Sequence, residues 1–122
     1  MSRLESAIQS EIITKLKAQY KKGFVYKHPP SPTGIPDIHF ILKGISYWFE
    51  VKRTSKDEPS PIQKLRHKHL KKAGCIVGVV WDWKQVEYIL QETQSYRGTG
   101  HERSSRHTKG RVYRFKTSEG LL

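Results

Sequence analysis

The chain has 122 residues, enough for one domain that buries about two-thirds of its unfolded surface. Its 23 Lys and Arg against 11 Asp and Glu give a formal net charge of +12, which draws polyphosphates by counterion release and leaves DNA, RNA and anionic membrane surfaces as partners of the right sign. No apolar run approaches the roughly twenty residues of a membrane span, no signal-peptide core opens the chain, and the single cysteine, Cys75, excludes an internal disulfide and a cysteine-rich zinc site, so an intracellular protein is expected.

Between Ser2 and Lys22, Leu4, Ile8, Ile12 and Leu16 recur every four residues and predict an amphipathic helix. Glu11, seven residues after Leu4, falls within about 20° of it around that helix and borders the buried stripe. Phe24 to Lys27 is a short strand. The segment His28-Pro29-Pro30-Ser31-Pro32-Thr33-Gly34 cannot enter a ladder and is a loop.

That loop runs into Asp37 and two apolar-rich runs, Ile38 to Leu42 and Ile45 to Val51, joined by the two-residue turn Lys43-Gly44. The turn sets the register: Leu42 faces Ile45, and stepping outward brings Asp37 opposite Glu50. By alternation, Ile38, Phe40, Leu42, Ile45, Tyr47, Phe49 and Val51 share a core face, while Asp37, His39, Ile41, Ser46, Trp48, Glu50 and Lys52 share the other. Two carboxylates facing each other across a ladder repel and need a cation, which Lys52 and a divalent metal supply; hard oxygen ligands suit Mg²⁺ or Mn²⁺. The plainer alternative has Asp37 capping a turn, with Glu50 and Lys52 on a solvated face. His28 and His39 are candidates for touching phosphate or metal, although surface or hydrogen-bonded histidines are commoner.

Ser60-Pro61-Ile62-Gln63 opens a helix, with Ser as N-cap and Gln63 placed to close a capping box, and Gly74 ends it. Gln63 has two available roles, the box and a position at the site. The helix carries Lys64, Arg66, His67, Lys68, His69, Lys71 and Lys72, a candidate DNA-facing surface whose default reading is a solvated one. Cys75 to Trp81 is a strand buried on both faces, and Asp82 with Gln85 opens a last helix with Val86, Ile89 and Leu90 inward. The order is α-β-β-β-α-β-α, within residues 1–93. Residues 94–122 form a basic arm of the same domain: Gln94 to Gly110 is loop-like, Val112 to Lys116 allows a short edge strand, and Arg97, Arg103 and Arg106 are placed to grip phosphates.

Gly34-Ile35-Pro36-Asp37, Glu50-Val51-Lys52, a helix carrying Gln63, and Lys72-Ala73-Gly74 before an apolar strand together resemble the VRR-Nuc branch of the PD-(D/E)xK nuclease superfamily, over roughly Glu5 to Leu90. The resemblance implies an α/β, restriction-endonuclease-like core with a central mixed sheet flanked by helices. It implies a metal-dependent DNA endonuclease that leaves a 5′-phosphate, with Asp37, Glu50 and the Val51 carbonyl holding Mg²⁺ or Mn²⁺, and Lys52 and Gln63 as further catalytic groups. Glu11 is the best match to the first-helix acid that approaches the metal in that family. Stand-alone members of this size resemble homodimeric resolvases of branched or Holliday-junction DNA, which makes the cytoplasm or nucleoid the expected location and a phage gene one expected source of this chain. The competing class is an inactive nucleic-acid-binding module of the same fold.

Overall fold

The structure is a computed structural model that describes residues 3–97 and 109–115. Helix α1 spans Glu5–Gln19 and buries Ile8, Ile12 and Leu16, while Leu4, the first member of the expected stripe, stays exposed ahead of the helix. Strands β1 (Phe24–Lys27), β2 (Ile38–Leu42) and β3 (Ile45–Val51) follow, then α2 (Pro61–Lys72), β4 (Ile76–Val80), α3 (Trp83–Arg97) and β5 (Arg111–Arg114).

The five strands lie in the order of the chain, with β1, β2 and β3 antiparallel and β3, β4 and β5 parallel. The β2–β3 turn has positive φ at both central residues, 51° at Lys43 and 81° at Gly44, as a type I′ hairpin requires. Its register is the one that the sequence dictates, with Leu42 opposite Ile45 and Ile38 opposite Phe49.

All seven residues of the expected hairpin core face are buried, and they share a core with Ile8, Ile12 and Leu16 of α1 and Val86, Ile89 and Leu90 of α3. Gly78 of β4 lets α3 approach closely, since a Cβ there would lie 2.6 Å from Ile89 Cδ1. Helix α2 covers the opposite face over β4 and β5, so helices flank both sides of the sheet and the hairpin lies at its centre.

The last helix runs further than its apolar pattern. Thr93 and Gln94 hydrogen-bond the Tyr47 hydroxyl, Gln94 Nε2 at 2.8 Å, and these polar contacts continue α3 to Arg97 where a loop is expected from Gln94. The expected edge strand forms as β5, parallel to β4; Lys116 lies outside the described residues. Among the described residues, no helix is long and apolar enough to cross a membrane.

Candidate functional site

Extending the register one residue past the last paired residues, Ile38 and Phe49, brings Asp37 and Glu50 opposite each other at the end of the hairpin, on the face away from the main core and with their side chains in hydrogen-bond contact. The Val51 N–H donates to Asp37 Oδ2 at 2.7 Å, and the His28 N–H donates to the Asp37 carbonyl at 2.8 Å, so the strands on either side fix both side chain and backbone. The Lys52 N–H donates to Val80 O at 2.8 Å and anchors Lys52 where β3 leaves the sheet. The loop before Asp37 is pressed against the start of α2. Gly34 has φ +80°, and a Cβ on it would sit 2.6 Å from the Ile62 carbonyl oxygen.

Gln63 fills both roles that the sequence offers it. Its Oε1 accepts from the Ser60 N–H at 2.8 Å while its own N–H donates to Ser60 Oγ at 3.3 Å, which closes the capping box. The same Oε1 accepts from Lys52 Nζ at 3.0 Å, and Nε2 donates to Glu50 Oε2 at 3.0 Å. One amide thus ties the helix start, the lysine and the carboxylate into a single network.

His67 departs from the sequence expectation, which places it among the outward cations of α2. It is 1% exposed, its Nε2 lies 3.4 Å from Glu50 Oε1, and its Nδ1 is buried without a hydrogen-bond partner among the described residues. Burial lowers its pKa to about 4, helped by the charges of Arg114 and Lys52, so the ring is neutral near pH 7. Its spacing of four from Gln63 carries the missed signal, because i and i+4 share one helix face.

Burial raises the Asp37 carboxyl to about 7, with the Glu50 charge adding to the rise and the Val51 N–H and Lys52 opposing it. Burial likewise raises Glu50 to about 7, against Lys52 and the hydrogen bond with Asp37. A hydrogen bond between two carboxyls requires a proton. The two carboxyls share it and titrate together as a pair.

Glu11, the expected first-helix acid, is turned to other partners: Arg3 NH1 at 2.5 Å and Lys15 Nζ at 3.0 Å. Lys15 in turn lies over the Trp83 ring, so this cluster belongs to the α1–α3 side. The acid of α1 that feels the site is Glu5, raised by burial and coupled to Lys52 and Asp37. Six residues at 100° each set the two acids about 120° apart around the helix, which accounts for the difference.

Of the expected nucleic-acid contacts, Lys64 pairs with Glu58 at 3.2 Å and Arg66 NH1 lies 3.3 Å from His69 Nδ1. Lys68 and Lys71 line a basic groove with Lys72 and Lys109 between the end of α2 and the start of β5. Arg97 ends α3, while Arg103 and Arg106 lie outside the described residues. His39 and His28 join a ring stack with Trp48, and His39 Nε2 bonds Ser46 Oγ at 2.8 Å.

Antiparallel hairpin, parallel crossover, helices on both faces and a carboxylate pair at the hairpin end define the restriction-endonuclease-like class of α/β folds. A solved structure described as a VRR_NUC domain is similar to this chain, with a TM-score of 0.61 and 30% identity over 71% of this chain and 94% of that one. The chain belongs to the VRR-Nuc family. No family model matches the sequence, and no curated protein does.

Proposed function

We propose that the chain is a metal-dependent phosphodiesterase that cuts DNA at the Asp37–Glu50 rung. The observation that carries this reading is the pair of carboxyls brought together there, Glu50 buried and Asp37 half-buried, both held at pKa values near 7 and bridged through Gln63 to Lys52. A fold keeps acids of this kind at a cost in stability, and the similarity to a VRR_NUC domain supports the use to which they are put.

The donor set fits a hard divalent ion. Among the described residues no three His, Cys, Asp or Glu side chains cluster as a metal cage, which suits Mg²⁺ or Mn²⁺, ions usually held by one or two carboxylates with the remaining positions left to water and phosphate. Asp37, Glu50 and the backbone carbonyl of Val51 would hold the ion. When bound, it supplies charge neutralisation at the phosphoryl oxygens and acidifies a water for attack.

The chain's own residues do the rest. Lys52 places a cation beside Glu50, where it stabilises negative charge developing on the phosphate or orients the attacking water. Gln63 aims Lys52 through Oε1 and pins Glu50 through Nε2. His67 backs the other oxygen of Glu50 and excludes solvent behind it. Branched DNA as substrate, a homodimer delivering paired cuts, a 5′-phosphate product, and phosphate contacts by Lys64, Arg66, Lys68, Lys71 and the arm belong to the same proposal. Incubating linear, single-stranded, flap and four-way-junction DNA with Mg²⁺, Mn²⁺ or EDTA tests it: metal-dependent cleavage of any of these supports the reading, and binding without cleavage in either metal overturns it in favour of an inactive module.

A further inference from the structure

The sheet face that carries Asp37 and Glu50 continues away from them as an aromatic surface. Tyr26 pairs with His39 and His39 with Trp48; the rung beyond pairs Phe24 with Ile41 and Ile41 with Ser46. Two residues along a strand advance about 6.6 Å, so these rungs lie about 7 and 13 Å from the carboxylate rung. Helix α2 covers β4 and β5, and among the described residues the β1–β2 part of this face remains open: Phe24 is 63% exposed, Tyr26 50% and Ile41 39%.

Tyr26 is held in place by the rings beside it. Tyr26 meets His28 edge to face at 4.8 Å, His28 stacks on Trp48 at 5.4 Å, and Trp48 stacks on His39 at 3.8 Å with planes 9° apart. A rigid aromatic surface open to solvent beside a phosphate-directed site has the properties of a base-stacking platform, because every base presents a π-face and stacks with little ordering cost on a fixed ring. Exposed Lys21 and Lys22 before β1 and Lys27 at its end add cations along the same edge. A second copy fits less well. Three exposed side chains fall far short of the about 800 Å² per partner of a standard interface.

We propose that Phe24, Tyr26 and Ile41 form a platform on which an unpaired base stacks while its strand's phosphate lies at the Asp37–Glu50 rung. This rests on the phosphodiesterase reading for the position of the phosphate. At about 3.4 Å per stacked nucleotide, the platform lies two to four nucleotides from the cut. A fully paired duplex offers no free base face there, so the platform selects strands with unpaired nucleotides close to the scissile bond.

The test is binding in EDTA, where no cleavage occurs, of a single-stranded oligonucleotide containing 2-aminopurine and of the same sequence as a duplex. The wild type quenches the 2-aminopurine fluorescence. The exposed double variant Phe24→Ala/Tyr26→Ala loses the quench and binds the single strand about 5- to 150-fold more weakly, the range for one stacked base, with duplex affinity within about twofold. Tyr26→Phe keeps both quench and affinity. Unchanged single-strand binding overturns the proposal, as does an equal loss on single strand and duplex. A shift from dimer to monomer in sedimentation with DNA binding intact assigns the face to a second copy instead. If the phosphodiesterase reading fails, wild type shows no metal-dependent cleavage while this binding contrast persists; if the platform fails, cleavage persists without the contrast.

Discussion

Replacing Asp37 by Asn should stabilise the metal-free protein while abolishing cleavage. The Asp37 carboxyl rises from 3.8 to about 7 on folding, chiefly because burial and the Glu50 charge oppose its ionisation. About three units at about 1.4 kcal/mol each make a ceiling of about 4 kcal/mol for carrying the charge above pH 7. Partial solvent access at this position reduces that to about 2 to 3 kcal/mol. The sign follows from linkage. A raised carboxyl pKa contributes stability that is complete below the unfolded value near 4 and is lost as pH rises through 7, so the advantage of Asn is near zero at pH 4 and full at pH 8. Asn also preserves the contacts, since its Oδ1 accepts the Val51 N–H and its Nδ2 donates to Glu50 in place of the shared proton. Urea unfolding in EDTA at pH 4.5 and pH 8 measures the difference, and at pH 8 a Tm rise of roughly 6 to 15 °C accompanies it. An Asn variant less stable than wild type at pH 8, or a gain independent of pH, would refute the account of a strained acidic pair.

Metal affinity should rise with pH up to about 8 and then level off, because an ion displaces protons from carboxyls whose pKa values lie near 7; calorimetry in buffers of different ionisation enthalpy reads the released protons, and a pH-independent Kd with no release contradicts it. Gln63→Ala removes the capping box and the bridge from Lys52 to Glu50 together, so it should cost about 1 kcal/mol in stability and also lower turnover at saturating DNA; the stability loss alone would confine Gln63 to the cap. Lys52→Ala should remove most turnover yet leave Mn²⁺ affinity near that of wild type, and loss of metal binding would move Lys52 to a different role. Replacing Arg97, Arg103 and Arg106 by Ala should lower the slope of log affinity against log salt by about 0.9 for each duplex phosphate that these side chains neutralise, with turnover at saturating DNA little changed; a normal slope with no turnover would place the arm in the active site.

Local rules made the hairpin legible. A two-residue turn with Gly second set the register, and alternation then named the buried face and brought Asp37 opposite Glu50. The boundaries of α2 were equally readable, since Ser60, Pro61 and Gln63 at one end and Gly74 at the other are chemical signals for start and stop. What escaped the sequence depended on tertiary packing. Whether Gln63 capped its helix or served the site is settled only by how close α2 comes to β3, and it comes close enough for both. His67 was indistinguishable from its basic neighbours until α2 was docked with that face inward. Glu11 and Glu5 lie about 120° apart around α1, and only the docking of the helix shows that Glu5 is the one that senses Asp37 while Glu11 pairs with Arg3 and Lys15. The continuation of α3 past Thr93 rests on hydrogen bonds to Tyr47, 46 residues earlier, which no apolar period records.

The most direct test of the Asp37–Glu50 rung as the cutting site compares wild type, Asp37→Asn and Glu50→Gln on one labelled four-way junction with Mn²⁺, following cleavage and binding in the same samples. Wild type should cleave and EDTA should stop it, neither variant should cleave, and junction affinity in both variants should equal or exceed that of wild type, because each removes negative charge beside the phosphate. Cleavage by both variants at the wild-type rate would show that the phosphodiester is broken elsewhere.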